Sequence, residues 1–269
     1  MNNSHIHLPA CRLALVLASV ATFLAIQSIV LRVVQYRVGV QNSYWLYQYG
    51  ELMNVNREAN VPTWFSASLL LAAALLLLTI TLSLRAGGRP YKAWAGLTGI
   101  FAYISMDEAG TIHEKLTPIL QEQLSLTGYF YFGWIVVGIS VALGVGLLYL
   151  PFVWRLPTDV RRWFILAGAL YVGGALGIES ISANLWYLDG GASLRFSAVG
   201  TVEEWFEMLG VITLIYGLLT YIRVEVGTVK FSVSQAVASS QARLPAATPK
   251  AYHDAHPKGS GARVSDSPI

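Results

Sequence analysis

The sequence predicts an all-α, polytopic integral membrane protein: six transmembrane helices in one bundle, with both termini in the cytoplasm. Three observations carry this expectation. Apolar residues make up 55% of the 269-residue chain and charged residues only 12%, half the roughly 25% of an ordinary soluble domain. Five stretches stay apolar for about the 20 residues needed to cross a hydrocarbon core of roughly 30 Å. Lysine and arginine, finally, fall unequally on the two sides that six crossings define.

In chain order the expected spans are 13–34, 63–84, 92–115, 130–153, 163–187 and 203–223, all within a transmembrane domain of residues 1–230. The first, beginning "LALVLASVATFLAIQSIV", is longer than a signal-peptide core and has one arginine before it, so an uncleaved anchor is expected. The second follows Pro62 and carries Trp64 at its start. The fourth lies between Tyr129 or Tyr131 and Trp154, the fifth between Trp163 and Trp186–Tyr187, and the sixth starts near Trp205. Such aromatic flanks are the usual anchors at a membrane interface. Glycines 168, 173, 174 and 177 in the fifth span are expected to let helices approach closely.

The third span decides the topology. After Lys92 the uncharged run ends at Met106, only 14 residues. That is roughly 21 Å of helix, short of the roughly 30 Å required. Crossing therefore needs the following residues, "DEAGTIH", as its outer turns. With six crossings and an inner N-terminus, thirteen Lys and Arg lie inside and five (Arg32, Arg37, Arg57, Lys115 and Arg195) lie outside. This satisfies the positive-inside rule and points to a bacterial plasma (inner) membrane. Residues 231–269, rich in Ala, Ser, Pro and Gly, read as a disordered cytoplasmic tail.

Several functions are excluded early. The basic residues are scattered, so no nucleic-acid surface is expected. Cys11 is the only cysteine, which forbids an intrachain disulfide. "LPAC" precedes the apolar run instead of following it, so it is no lipidation box. His5, His7, His253 and His256 look incidental. No G-x-S-x-G, phosphate-binding loop, dinucleotide fingerprint, H-E-x-x-H or C-x-x-C is present.

What remains is an unusual placement of acids. Eleven of the fifteen carboxylates fall on the outer side or near the outer end of a span. Counted from the inner helix ends at 1.5 Å per residue, Asp107, Glu108, Glu179 and Glu207 all lie at roughly 22–26 Å. His113, Glu114, Glu203 and Glu204 form a second layer at roughly 28–33 Å. In an ideal helix Asp107 and Glu114 share a face, as do Glu203 and Glu207, whereas His113 points away from Asp107 unless the helix unwinds near Gly110. An acid facing lipid costs roughly 2.5–3.5 kcal/mol. These side chains are therefore expected to face the bundle interior, where they must be protonated, paired with arginine (Arg32, Arg57 and Arg195 are in reach) or bridged by a cation.

The expected function is a membrane-embedded, metal-dependent hydrolase or transferase acting on a lipid or isoprenoid-like substrate. Asp107, Glu114, Glu179, Glu203, Glu207 and His113 are the candidate ligands of a divalent ion. Carboxylates with one imidazole suit Mn, Fe, Mg or Ca, with Zn also acceptable. Glu108 and Glu204 are the candidate catalytic acid–base groups. Glu58 and Asn60, at the end of the aromatic loop 41–64, are candidate substrate or lid residues. A cation- or proton-binding transporter is the first alternative, and a non-catalytic assembly or sensory protein the second. The bilayer is the one partner implied by composition.

Overall fold

A computed structural model of the chain describes residues 9–39 and 43–227. The expected tail at 231–269 and the four terminal histidines lie outside the described residues. Within them the chain is all-helical, without a strand. The α-helices are α1 (Ala10–Val38), α2 (Tyr44–Leu52), α3 (Val61–Ala86), α4 (Lys92–Gly110), α5 (Leu116–Leu124), α6 (Trp134–Trp154), α7 (Thr158–Val172), α8 (Glu179–Asp189) and α9 (Leu194–Tyr221). A π-helical stretch, Gly173–Ile178, joins α7 to α8.

Five helices are long and apolar enough to cross a membrane: α1, α3, α6, the rod Thr158–Asp189 made by α7 and α8, and α9 with its π-helical end at Val226. The expected third span, α4, is not among them. It has 19 residues, and Asp107 and Glu108 in its last turns lower its apolarity.

Its end also differs from the expected 115. Helix α4 stops at Gly110, and Thr111 takes a left-handed conformation (φ 54°) with its N–H bonded to the Asp107 carbonyl. Glycine is a poor helix former, and a left-handed residue after it is a common way to satisfy the last carbonyls. The last helix starts at Leu194, nine residues before the expected 203, with Ser193 accepting a hydrogen bond from Phe196 N–H. Glu203, Glu204 and Glu207 therefore sit well inside α9. The fourth span begins at Trp134 instead of 130, because Gly128–Phe130 forms a separate 3-10 turn.

Helices α3 and α9 form the centre. Leu69, Leu70, Ala73, Leu77 and Ile80 of α3 and Met208, Val211, Ile215 and Leu218 of α9 are all buried in one cluster. Trp94 of α4 and Val160 and Ala167 of α7 join it. Helix α1 leans on α9, where Trp205 Nε1 donates to Thr22 Oγ1 at 3.1 Å. Helix α6 is peripheral: only 6% of its apolar window is buried, against 50% for α3 and 44% for α9.

Two glycines set the approach of the α7–α8 rod to α9. A Cβ on Gly210 would lie 2.7 Å from Tyr171 N and 3.0 Å from Ala167 O. One on Gly174, in the π-helical stretch, would lie 3.0 Å from Glu203 O and 3.1 Å from Glu207 Cγ. Of the four glycines expected to allow close approach, Gly174 does so, whereas Gly168, Gly173 and Gly177 face open space. Gly210→Val is expected to destabilise the bundle by roughly 1–3 kcal/mol through overpacking against backbone. The midpoint of thermal unfolding in detergent measures this, and an unchanged midpoint would contradict the contact.

Candidate functional site

One cavity of about 1130 Å3 occupies the bundle, slightly above the roughly 300–1,000 Å3 of most small-molecule sites. Its walls come from α3, α4, α6, the α7–α8 rod and α9. They divide into two lobes. One is apolar, built from residues such as Leu97, Phe101, Val141, Phe164, Ala175 and Leu214. The other holds Asp107, Glu108, His113, Glu114, Glu179, Glu203, Glu204 and Glu207. Every candidate metal-binding and catalytic residue from the sequence thus lines the same cavity.

The acids are not held alike. His113 N–H donates to Asp107 Oδ1 at 2.9 Å, and His113 Nδ1 lies 2.9 Å from Asp107 Oδ2. The end of α4 at Gly110 makes this possible, because the turn carries His113 back over the helix to the side chain from which an ideal helix would separate it. Glu179 follows the π-helical stretch and accepts from Trp134 Nε1 at 2.8 Å. Glu203 accepts from Ser182 Oγ at 2.7 Å. The His113 ring in turn packs on Trp134, centroids 4.7 Å apart. A continuous set of contacts therefore runs from α4 through α6 to α8.

Glu204 and Glu207 are different. They sit deep in the bundle within electrostatic reach of Glu108, and they line the cavity. Neither makes a hydrogen bond or ion pair with any described residue. Of the arginines expected to neutralise the cluster, Arg32 and Arg57 line the same cavity, but their ion pairs are with Glu51. Arg57 Nε lies 3.1 Å from Glu51, which Arg32 Nη1 also approaches at 3.8 Å. Arg195 pairs with Asp189 at 2.7 Å. Among the described residues, His113 is the only basic side chain in ion-pair contact with the cluster.

Glu58 hangs over the acidic lobe from the segment that joins α2 to α3. This segment is anchored on both sides. Val55 N–H donates to Ser28 Oγ of α1 at 3.1 Å, and Asn56 Nδ2 to Ser197 O and Thr201 Oγ1 of α9, each at 3.2 Å. Asn60 lies outside the cavity lining; it caps α3 by accepting from Thr63 N–H and donates to Asn54 O at 2.7 Å. Its role in the fold is to hold the segment that carries Glu58. Ala59 between them has a left-handed φ of 58°, an uncommon conformation for a residue with a Cβ. Glu58 Oε2 is buried without a hydrogen-bond partner.

Two residues that matter here were missed in the sequence. Trp134 was not singled out, yet its indole N–H fixes Glu179. Ser182 gave no signal at all, since a serine in an apolar helix ordinarily bonds its own backbone. No group of three or more His, Cys, Asp or Glu side chains among the described residues is arranged to hold a metal ion. No hydrogen bond restrains Glu204 or Glu207.

In class, the chain is an all-helical protein with five helices fit to cross a membrane and an acid-lined cavity between them. It belongs to the family described as a domain of unknown function, DUF8692, whose model matches residues 12–222. The match takes in every helix that lines the cavity. No curated protein and no solved structure matches the chain.

Burial, and next the nearby Glu114, push the Glu58 carboxyl up to about 8, with His113 opposing. A carboxyl whose folded pKa is raised keeps its proton while the unfolded chain loses one, so stability falls as pH rises from about 4.5 to about 8. Glu58→Gln removes that component. The fall in unfolding temperature between pH 5 and pH 8 is expected to be shallower in Glu58→Gln than in the unaltered protein. Parallel curves would place Glu58 in open solvent.

Proposed function

We propose that this chain is a membrane-embedded enzyme whose carboxylate-rich site acts on a lipid or isoprenoid-like substrate, with a divalent metal ion as its cofactor. The observation that carries this reading is the continuity of the two lobes. An amphiphile needs an apolar wall for its chain and polar groups for its head, and one cavity offers both.

The chemistry follows from the acids. Glu204 or Glu108 accepts a proton from water or a substrate hydroxyl, whose oxygen attacks a carbonyl or phosphoryl centre in the head group. The same acid then returns the proton to the departing oxygen. The metal, drawn from Mn, Fe, Mg, Ca or Zn, would be held by carboxylates among Asp107, Glu114, Glu179, Glu203 and Glu207 with His113, and would polarise the attacked oxygen. Glu58, aimed into the same space, closes the head-group end. A transport role has less support, because the apolar lobe carries no charged side chain along which an ion would pass.

The topology belongs to the same proposal. Helix α4 is roughly 28 Å long at 1.5 Å per residue, close to the core thickness, and it packs chiefly along α3. It serves as the third of six crossings. Both termini then lie in the cytoplasm and the acidic lobe opens near the outer leaflet of a bacterial plasma membrane.

Two experiments test these statements. Protein purified in mild detergent without chelators is expected to carry a divalent metal by elemental analysis, and Asp107→Asn and Glu207→Gln to lose it. Incubated with a mixed bacterial lipid extract, the unaltered protein should change the lipid mass spectrum while Glu204→Gln does not. A metal-free protein removes the cofactor, and an unchanged extract removes the enzyme. For orientation, Cys11 is a built-in probe at the start of α1 and is exposed. A membrane-impermeant maleimide should label it in inverted vesicles and not in intact cells; the reverse pattern would invert the topology.

A further inference from the structure

The apolar lobe has a shape that narrows the substrate. Helix α4, together with the turn that follows it, touches α6 at both ends and leaves a slot between. At one end Tyr149 Oη donates to Ala93 O at 3.2 Å, and Trp94 meets Phe152 edge-on with centroids 5.0 Å apart. At the other, His113 packs on Trp134. Between these contacts Ile100 and Ile104 of α4 and Val137 and Val141 of α6 line the cavity. Val137 and Val141 are nevertheless 40% and 58% exposed, so the cavity opens sideways to the surface that an apolar bundle turns to lipid.

Small residues widen the slot. Gly138, Ala142 and Gly146 recur every four residues on α6, and all three line the cavity. Such a stripe ordinarily draws two helices together, and Gly138 does meet the α7–α8 rod, where a Cβ on it would lie 2.8 Å from Leu176 Cδ2; further along, the slot is open. A Cβ on Gly146, or on Gly168 of α7, would meet no atom within 4 Å. The length of the lobe is also informative. From Asp107 to Leu97 on α4, and from Glu204 to Leu214 on α9, ten residues correspond to roughly 15 Å. That is half of a core of roughly 30 Å, the depth of one leaflet. At its polar end wait Glu204 and Glu207, deep in the bundle and without a partner.

We infer that the slot between α4 and α6 admits a bilayer amphiphile sideways, that one of its hydrocarbon chains lies along the groove past Gly146 and Gly168, and that its head group stops at Glu204 and Glu207. The glycines then act as a ruler for chain length. This inference rests on the reading of the cavity as a substrate site, but not on the metal or on turnover.

The test uses alkylamines as probes, since an ammonium complements the unpaired carboxylates. The protein, in lipid nanodiscs with chelator present, is photolabelled with dodecylamine bearing a terminal diazirine and, separately, with a butylamine analogue. Labels from the long probe are expected on the cavity faces of α4, α6 and α7 near Gly146 and Gly168; labels from the short one are expected near the acids. Gly146→Leu and Gly168→Leu are each expected to weaken labelling by the long probe about tenfold, the effect of roughly two methylenes kept out of the groove. Labelling by the short probe stays unchanged. The two positions lie on different helices, so a folding defect in one leaves the other to decide. Equal labelling of both variants and the unaltered protein, or labels spread over the outer faces of α1 and α3, would overturn the inference. Because no metal or product is read, this outcome is separate from the fate of the proposed reaction.

Discussion

A carboxylate on an apolar helix must be turned away from hydrocarbon, and the packing of α9 depends on that constraint. Leaving one such group in lipid costs roughly 2.5–3.5 kcal/mol. Helix α9 carries three within five residues, Glu203, Glu204 and Glu207. They cannot all share one narrow face, so α9 needs neighbours around much of its circumference. It has them: α1, α3 and the α7–α8 rod all pack on it. Gly174 and Gly210 bring the rod within backbone distance at the level of the acids. Beside the carboxylates, between α4, α6 and α7, lies the cavity.

The distribution of hydrogen bonds divides the cluster in a way that charge alone would not. Asp107, Glu179 and Glu203 are each fixed by a donor from a different element: the turn after α4, the start of α6, and α8. Glu204, Glu207 and one oxygen of Glu58 have none. The Glu58 oxygen is buried, and a buried acceptor without a partner costs about 1–3 kcal/mol, whereas Glu204 and Glu207 open on the cavity. Relief by arginine is closed off, because Arg32 and Arg57 converge on Glu51 and anchor the α2–α3 segment instead. The unfilled capacity is thus concentrated at one end of one cavity.

What could be read in advance follows from which physical signals survive in a sequence. Helical class and the long apolar elements show in composition and run length, and the expected 13–34 and 63–84 lie within α1 and α3. The depth of the acids follows from counting along helices. What depends on a single backbone torsion was not readable. The left-handed turn at Thr111 ends α4 early and folds His113 onto Asp107, whereas the ideal-helix angle had separated them. The π-helical stretch is hidden for the same reason, since hydropathy does not report hydrogen-bond register. The short helices α2 and α5, each nine residues, fell below any window used to find a span. Arg32 does line the cavity with the acids, yet its ion pair is with Glu51, because nothing in spacing alone says which carboxylate an arginine reaches.

The π-helical stretch connects these points. It inserts a wider turn into the rod just before Glu179, and such turns alter the face on which later residues emerge. Without it, the residues after Gly173 would emerge in plain α-helical register. With it, Glu179 meets Trp134 of α6 and Ser182 meets Glu203 of α9. One irregular segment therefore tethers the peripheral α6 to the central α9 through two carboxylates. Helix α6 is otherwise held by Tyr149 and Phe152 at its far end and by Gly138 on Leu176, and the rest of its small-residue stripe faces the cavity. The polar end of the cavity is consequently also the fastening of its most loosely packed wall. Any ligand that competes with Trp134 for Glu179 acts on the width of the slot as well as on the acids.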